Sequence, residues 1–109
     1  MKIKIISVGK TKNKHIKLLC TDYKDRIKHY TKFEEVVLKS GTNQTENDKI
    51  AAHINNNTGL NYALSEDGEN FNSKDFAKLL SNANNQISFI IGGPEGIDER
   101  TKVNCDKVI

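Results

Sequence analysis

Hydrophobic and polar positions follow two different periods along the chain. Residues 2–8 read Lys-Ile-Lys-Ile-Ile-Ser-Val, which is β-branched and alternates at first, and Gly9 closes the run, so a strand is predicted there. Apolar residues then recur every three or four positions, which predicts an amphipathic helix with one apolar stripe. The stripe consists of Ile16, Leu19, Cys20, Tyr23, Ile27 and Tyr30, and the solvent side carries Lys17, Lys24 and Lys28.

Strand and helix patterns continue to alternate after this helix. Residues 33–38, 60–65 and 87–91 are predicted strands, residues 40–47 a polar loop, and residues 45–54 a weak helix. The run from Asn55 to Gly59 stops that helix, because asparagine side chains compete for backbone partners. A third helix bears Phe76, and Asn72 or Ser73 is its predicted N-cap.

This order of elements predicts a single α/β domain over residues 1–109, with a mainly parallel sheet and flanking helices. In such sheets, ligands bind beyond the carboxyl ends of the strands. Gly9, the turn at residues 65–68 and the loop at residues 92–96 are therefore the candidate site.

Composition limits the classes of protein that fit. The 109 residues are 36% hydrophobic and 28% charged, which allows one modest core. No apolar run approaches the roughly 20 residues that span a bilayer, and the first four residues alternate charge with isoleucine instead of forming a signal-peptide core. We therefore expect a cytoplasmic protein without a membrane partner.

The cysteine and histidine residues indicate neither a metal site nor a disulfide framework. Cys20 and Cys105 are far apart and lie in no Cys-x-x-Cys pair, so two buried thiols are expected. The three histidines have no metal-ligand spacing. We expect no metal.

The charge is unevenly distributed. Residues 1–32 contain ten basic and two acidic side chains, a net charge of +8, whereas the remaining 77 residues contain seven and twelve, a net charge of −5. A basic segment of this kind is typical of a polyanion-binding surface, because binding releases counterions. A solvated lysine-rich helix face explains it equally well, and the charge alone does not separate the two interpretations.

The loop Gly92-Gly93-Pro94-Glu95-Gly96, called here the glycine loop, exposes backbone against which a ligand could lie. It is neither a phosphate-binding Walker loop nor the Gly-x-Gly-x-x-Gly dinucleotide fingerprint. Its spacing alone is also explained by a tight strand-to-helix turn.

The surrounding segments are more specific. They are Ile-Ser-Val-Gly-Lys at residues 6–10, the Tyr23 to Tyr30 helix segment, Ala-Leu-Ser-Glu-Asp-Gly at residues 63–68, and Phe-Ile-Ile-Gly-Gly-Pro-Glu-Gly at residues 89–96. In this order the chain resembles the SPOUT-class methyltransferases that modify N3 of a pseudouridine in large-subunit ribosomal RNA.

The resemblance implies an α/β sheet tied into a carboxyl-terminal trefoil knot, a homodimer, and S-adenosylmethionine held by three loops without a metal. Leu64 corresponds to an apolar contact with this cofactor, and Gly92 to a backbone contact. A side chain at Gly92 is expected to enter the cofactor space and to demand a forbidden backbone angle. No catalytic residue is assigned, because Glu66, Asp67, Glu95 and His15 are more typical of turns and solvated positions.

The chain departs from the family after residues 106–109, where family members continue into a third cofactor loop, a knot-forming helix and a basic tail. The chain is then either a fragment or a shortened homologue. We expect residues 1–109 alone to bind S-adenosylmethionine weakly or not at all and to be inactive. We also expect Ile90, Ile91, Val108 and Ile109 to present apolar surface.

Two other functions remain open at this point. The first is a non-catalytic remnant that binds RNA or dimerises through its lysine-rich segment. The second is an unrelated nucleotide-binding domain that shares the glycine loop by convergence.

Overall fold

Strands and helices alternate along the chain in the computed structural model, which describes residues 1–10, 13–57, 59–65, 67–81 and 86–109. The elements are β1 (Lys2–Val8), α1 (Lys14–Lys28), β2 (Lys32–Leu38), α2 (Asn43–Asn56), β3 (Leu60–Leu64), α3 (Ser73–Ser81), β4 (Gln86–Ile91), α4 (Glu99–Val103) and β5 (Lys107–Val108).

The strands form one five-stranded sheet in the order β2-β1-β4-β3-β5, and each strand pair in it is parallel. Right-handed crossovers place α1 and α3 on one face and α2 and α4 on the other. The predicted α/β class and the mainly parallel sheet are confirmed. The β1–β4 and β3–β4 pairings bring the carboxyl ends of β1, β4 and β3 side by side.

Each face of the sheet carries its own hydrophobic cluster. On the α2 side, Ile50 and Ile54 pack against Ile6, Leu38 and Ile90. On the α3 side, the cluster consists of Tyr62, Ile87 and Phe89, with Phe76, Leu79 and Leu80 packed against it. Alternate residues of β4 serve the two clusters, as expected for a strand buried on both faces.

The apolar stripe predicted for α1 is largely exposed. Ile16, Leu19 and Tyr23 keep 51%, 58% and 59% of their surface, and no α1 residue is fully buried. The helix contacts the sheet through its half-buried residues instead, and there Lys24 forms an ion pair with Glu35 of β2, with Nζ and Oε2 2.6 Å apart. The helix is rotated from its predicted orientation because the edge strand beneath it is partly polar.

Two helices differ from the sequence-based prediction. α2 begins at Asn43 and not at the predicted residue 45, because the Thr42 hydroxyl accepts a hydrogen bond from the Thr45 N–H and caps the helix. α4 was not predicted at all. Asp98 caps it by accepting from the Thr101 N–H at 2.8 Å. In α3, Asn72 is the cap, accepting from the Asp75 N–H at 2.7 Å.

Two predictions about burial are wrong. Ile90 is fully buried against α2, because this side of β4 faces the helix, whereas Ile91 on the opposite side is 42% exposed. The two thiols are free, but each is only partly buried, since Cys20 lies on the loosely packed α1 and Cys105 lies just after the short α4. Val108 and Ile109 are partly exposed, as expected.

Candidate functional site

A cleft of about 500 Å³ lies at the carboxyl edge of the sheet, where β3 and β4 end side by side. Leu64 pairs with Ile91 in the sheet register, and Gly92 follows Ile91 directly, so the two candidate cofactor residues meet here. The volume falls within the about 300–1,000 Å³ typical of small-molecule sites. Besides the glycine loop, the walls include Leu64, Ser65, Asp67, Ile91, Ile97 and Lys102.

The glycine loop turns back on itself along one side of the cleft. The N–H of Gly96 donates to the carbonyl of Gly93 at 2.9 Å, and Gly96 has a φ of +79°, a conformation that favours glycine. Gly92 does not have a positive φ, so the expected forbidden angle at this position is wrong. Glycine is required there by space, because a Cβ at Gly92 would come within 2.7 Å of the carbonyl carbon of Gly96 and 2.9 Å of Ile97 N.

Two buried polar side chains of α2 support this loop from behind. Glu46 is 4% exposed, its Oε2 accepts from the Gly41 N–H at 2.9 Å, and its other oxygen occupies the space that a Cβ at Gly93 would need. Asn47 is 1% exposed, and its Oδ1 accepts from the Asp98 N–H at 2.9 Å. The first turn of α2 therefore determines where the glycine loop lies.

A charged contact closes the opposite side of the cleft. Lys102 Nζ lies 3.1 Å from Asp67 Oδ1, and the Lys102 side chain is only 12% exposed. The Ser65 hydroxyl also donates to Asp67. The hydrogen bond from Ser65 and the ammonium group of Lys102 lower the pKa of Asp67, and Asp67 in turn raises the pKa of Lys102. This places a fixed cation and a fixed carboxylate on the cleft wall at neutral pH.

The turn that carries Ser65 and Asp67 is tied to the end of β5. The Ser65 N–H donates to the Ile109 carbonyl at 2.9 Å, and the Glu69 N–H donates to the Val108 carbonyl at 3.1 Å. Gly68 packs against Ile109 so closely that a Cβ would overlap its backbone. The turn is therefore held on both sides, by β5 and by α4.

The structure brings together most, but not all, of the residues that the sequence proposed. Leu64, Gly92, and Ser65 and Asp67 of the turn line one cleft, whereas Gly9 follows the neighbouring strand and lies outside that wall. Glu95 lines the cleft, His15 is exposed on α1, and Glu66 lies outside the described residues.

Sequence reasoning missed Lys102, Glu46 and Asn47. Lys102 belongs to the unpredicted α4, for which Asp98 followed by Glu99 was an available N-terminal signal. Glu46 and Asn47 lie where the predicted polar loop and the predicted weak helix overlap. Their burial has no signature in a single sequence.

The described part of the chain contains no group of three or more histidine, cysteine, aspartate or glutamate side chains that could hold a metal ion. No helix in it has the length and apolar character needed to cross a membrane.

The comparison with known families agrees with this geometry. A family model described as "Predicted SPOUT methyltransferase" matches residues 1–109. The chain therefore belongs to the SPOUT methyltransferase family.

Curated relatives point to one branch of this family. A protein of Christiangramia forsetii named "Ribosomal RNA large subunit methyltransferase H" is 32% identical over 123 residues, covering 100% of this chain and 78% of the relative. Proteins with the same name from Coprothermobacter proteolyticus and Streptococcus thermophilus are 35% and 32% identical, covering 96% and 100% of this chain and 73% and 79% of the relatives.

Proposed function

We propose that the protein is an S-adenosylmethionine-dependent methyltransferase that acts on large-subunit ribosomal RNA. The observation that carries the proposal is the meeting of Leu64 and Gly92 at one cleft on the carboxyl edge of a parallel sheet. The family membership and the names of the relatives favour this function over a non-catalytic RNA-binding or dimerisation module.

The cleft residues fit the chemistry of S-adenosylmethionine. Leu64 and Ile91 offer partly exposed apolar surface for the adenine ring, and the glycine loop offers backbone groups that can approach a ligand closely. The ion pair of Lys102 with Asp67 places charged groups of both signs on the cleft wall, where they can contact the zwitterionic methionyl part. When bound, this cofactor supplies an electrophilic methyl group on a sulfonium, and the chain contributes chiefly alignment and exclusion of water.

The finer identity of the target and the assembly come from the resemblance. We propose that the methyl group is transferred to N3 of a pseudouridine, that the active form is a homodimer, and that the protein works in the cytoplasm. Transfer to N3 would form a carbon–nitrogen bond as the methyl carbon–sulfur bond breaks. The uncharged thioether would be the leaving group, and the N3 proton would leave for solvent.

Nuclear magnetic resonance tests the cofactor site directly and detects weak binding. Titrating the ¹⁵N-labelled protein, together with any residues that its gene encodes after Ile109, with S-adenosylmethionine should shift the amides of Leu64, Gly92 and their neighbours in the glycine loop. Leu64→Asn should weaken this binding, whereas Val37→Asn, at an equally exposed strand end outside the cleft, should not. Absence of shifts, or shifts centred on Gly9, would contradict the proposed site.

A methylation assay tests the target. The protein, together with any residues that its gene encodes after Ile109, is incubated in excess over purified large ribosomal subunits with methyl-labelled S-adenosylmethionine, so that slow turnover is still detected. Digestion and mass spectrometry should locate the label in N3-methylpseudouridine. Subunits in which uridine replaces the pseudouridine should stay unlabelled. Label in another nucleoside would reject the proposed target.

A further inference from the structure

A second pocket lies at the same edge of the sheet, on the α1 side. It has a volume of about 250 Å³ and sits where β1 and β2 end, beneath the amino-terminal half of α1. We call it the lysine pocket. Its wall includes Ser7, Gly9, Lys10, Lys17, Lys24 and Val37.

The lysine pocket carries positive charge that the described residues leave uncompensated. Lys24 is neutralised by its ion pair with Glu35. Lys10 and Lys17 are exposed, and none of the ion pairs found within the described residues includes either of them. Two such ammonium groups at one small concavity attract an anion rather than a neutral ligand.

A row of four side chains, three of them exposed and one partly exposed, connects the lysine pocket with the cofactor cleft. In the sheet, Val37 of β2 pairs with Ser7 of β1, and Ile91 of β4 pairs with Leu64 of β3. Ser7 and Ile91 are also neighbours, because they directly follow Ile6 and Ile90, which pair with each other. The four positions of the row therefore lie side by side on one face at the carboxyl ends of four adjacent strands. Three strand spacings separate its ends, a distance of about 14 Å.

Apolar surface and positive charge lie next to each other here. Val37, Ile91 and Leu64 are 44%, 42% and 37% exposed, so the row offers apolar surface that reaches the cleft at Ile91 and Leu64. The lysine pocket adjoins it at Val37 and Ser7. A ligand that matches the lysine pocket and the adjoining apolar row has an anionic group joined to a flat apolar group. A nucleotide in a single strand has this chemistry.

We propose that the lysine pocket binds a backbone phosphate of single-stranded RNA, so that a neighbouring base lies across the row toward the cofactor cleft. The inference rests on the proposed function and assigns a binding role within it to Lys10 and Lys17. Both lysines contact the phosphate and take no part in binding the methyl donor.

Salt-dependent binding tests the proposal. Affinity for a short fluorescent single-stranded RNA with one pseudouridine is measured over a range of salt concentrations for the wild type and for Lys10→Gln/Lys17→Gln. The variant should bind more weakly, and the slope of log affinity against log salt should fall by about 0.7 for each phosphate that the variant no longer neutralises. The matched control is Lys28→Gln/Lys32→Gln, with the same charge change at the opposite end of α1 and β2, and its slope should equal that of the wild type.

Neutralising single phosphates of the RNA identifies the one that Lys10 and Lys17 contact. Replacing one phosphate beside the pseudouridine with methylphosphonate, position by position, should weaken binding to the wild type at one position. The same replacement should have no effect on the double variant, which has no ammonium group to bind that phosphate. Equal losses of affinity in the wild type and the double variant would overturn the proposal.

Other outcomes separate this proposal from the proposed function. If the double variant also loses the S-adenosylmethionine shifts, the lysines belong to the cofactor site and the proposal is wrong. If the control variant weakens binding equally, the attraction is diffuse and the lysine pocket has no special role. The wild type could also show the S-adenosylmethionine shifts but bind polyglutamate and not RNA. The partner would then be an acidic protein. This result would contradict both the present proposal and the proposed RNA target, and it would leave the cofactor site supported.

Discussion

The Oδ1 atom of Asn47 accepts a hydrogen bond from the backbone N–H of Asp98 at 2.9 Å, across 51 positions of sequence. Asn47 lies in the first turn of α2 and Asp98 caps α4, so this bond joins the two helices on one face of the sheet. The glycine loop precedes Asp98 and is thereby fixed at its far end. The Asn47 side chain, which supports the cleft through this bond, is itself only 1% exposed.

Removing this amide should destabilise the fold. Asn47→Ala leaves the partly buried Asp98 N–H without its acceptor, so the free energy of unfolding should fall by about 1–3 kcal/mol. Urea denaturation measures the change. The control is Asn55→Ala, an exposed position of the same helix, which should stay within about 0.5 kcal/mol of the wild type. Equal stability of both variants would show that the bond contributes nothing.

A side chain at Gly92 should displace the glycine loop and abolish cofactor binding. Gly92→Val was expected from the sequence to do so, and Gly92→Ala should suffice, because the Cβ alone overlaps backbone atoms of Gly96 and Ile97. The matched control is Gly41→Ala, whose Cβ would meet only Thr45 at 3.8 Å. Amide shifts with S-adenosylmethionine should vanish in the first variant and persist in the control. Unchanged affinity in Gly92→Ala would reject the role of the loop.

The ionisation of Asp67 should report the charged contact at the cleft. Hydrogen bonding by Ser65 and the charge of Lys102 lower the pKa of Asp67. The ion pair with Lys102 is therefore fully formed at pH values above the ordinary aspartate pKa. It is lost only as the pH falls through the lowered pKa. Carboxyl ¹³C chemical shifts give this pKa. In Lys102→Met it should rise toward the ordinary value. An identical titration in the two proteins would contradict the coupling.

The Cys105 thiol should make stability sensitive to alkaline pH. Burial, aided by the charge of Asp106, raises the pKa of Cys105 to about 11. The unfolded chain releases this proton near the ordinary value of about 8.5, so stability should fall as the pH rises from there toward 11. Urea midpoints at about pH 8 and about pH 10, on either side of the ordinary thiol value, measure the fall. It should be smaller in Cys105→Ala, and an equal fall would assign it to other groups.

The sheet and the edge that carries the cleft were predictable because their signals are local. The runs before Gly9 and Gly92 are β-branched and apolar, and parallel strands separated by helices follow from their order. The register Leu64 to Ile91 then brings both candidate cofactor residues to one cleft. Their roles in binding S-adenosylmethionine stay predictions, as does the expected inactivity of residues 1–109 alone.

The supports of the cleft were not predictable from local patterns. Polar residues such as Glu46 and Asn47 normally indicate an exposed surface, and only the tertiary structure provides the partners that allow their burial. Lys102 was missed for a different reason. Its helix has five residues, too few for a hydrophobic period to appear, although Asp98 marks its start.

The orientation of α1 has a consequence for how the protein fluctuates. The helix buries no side chain completely and is joined to β2 by the Lys24–Glu35 pair, so little free energy holds it against the sheet. Its amides should exchange with deuterated solvent by a local opening that leaves β1 and β4 protected. RNA bound by Lys10 and Lys17 would connect α1 to the sheet edge. The amides of α1 would then exchange most slowly in the complex with RNA.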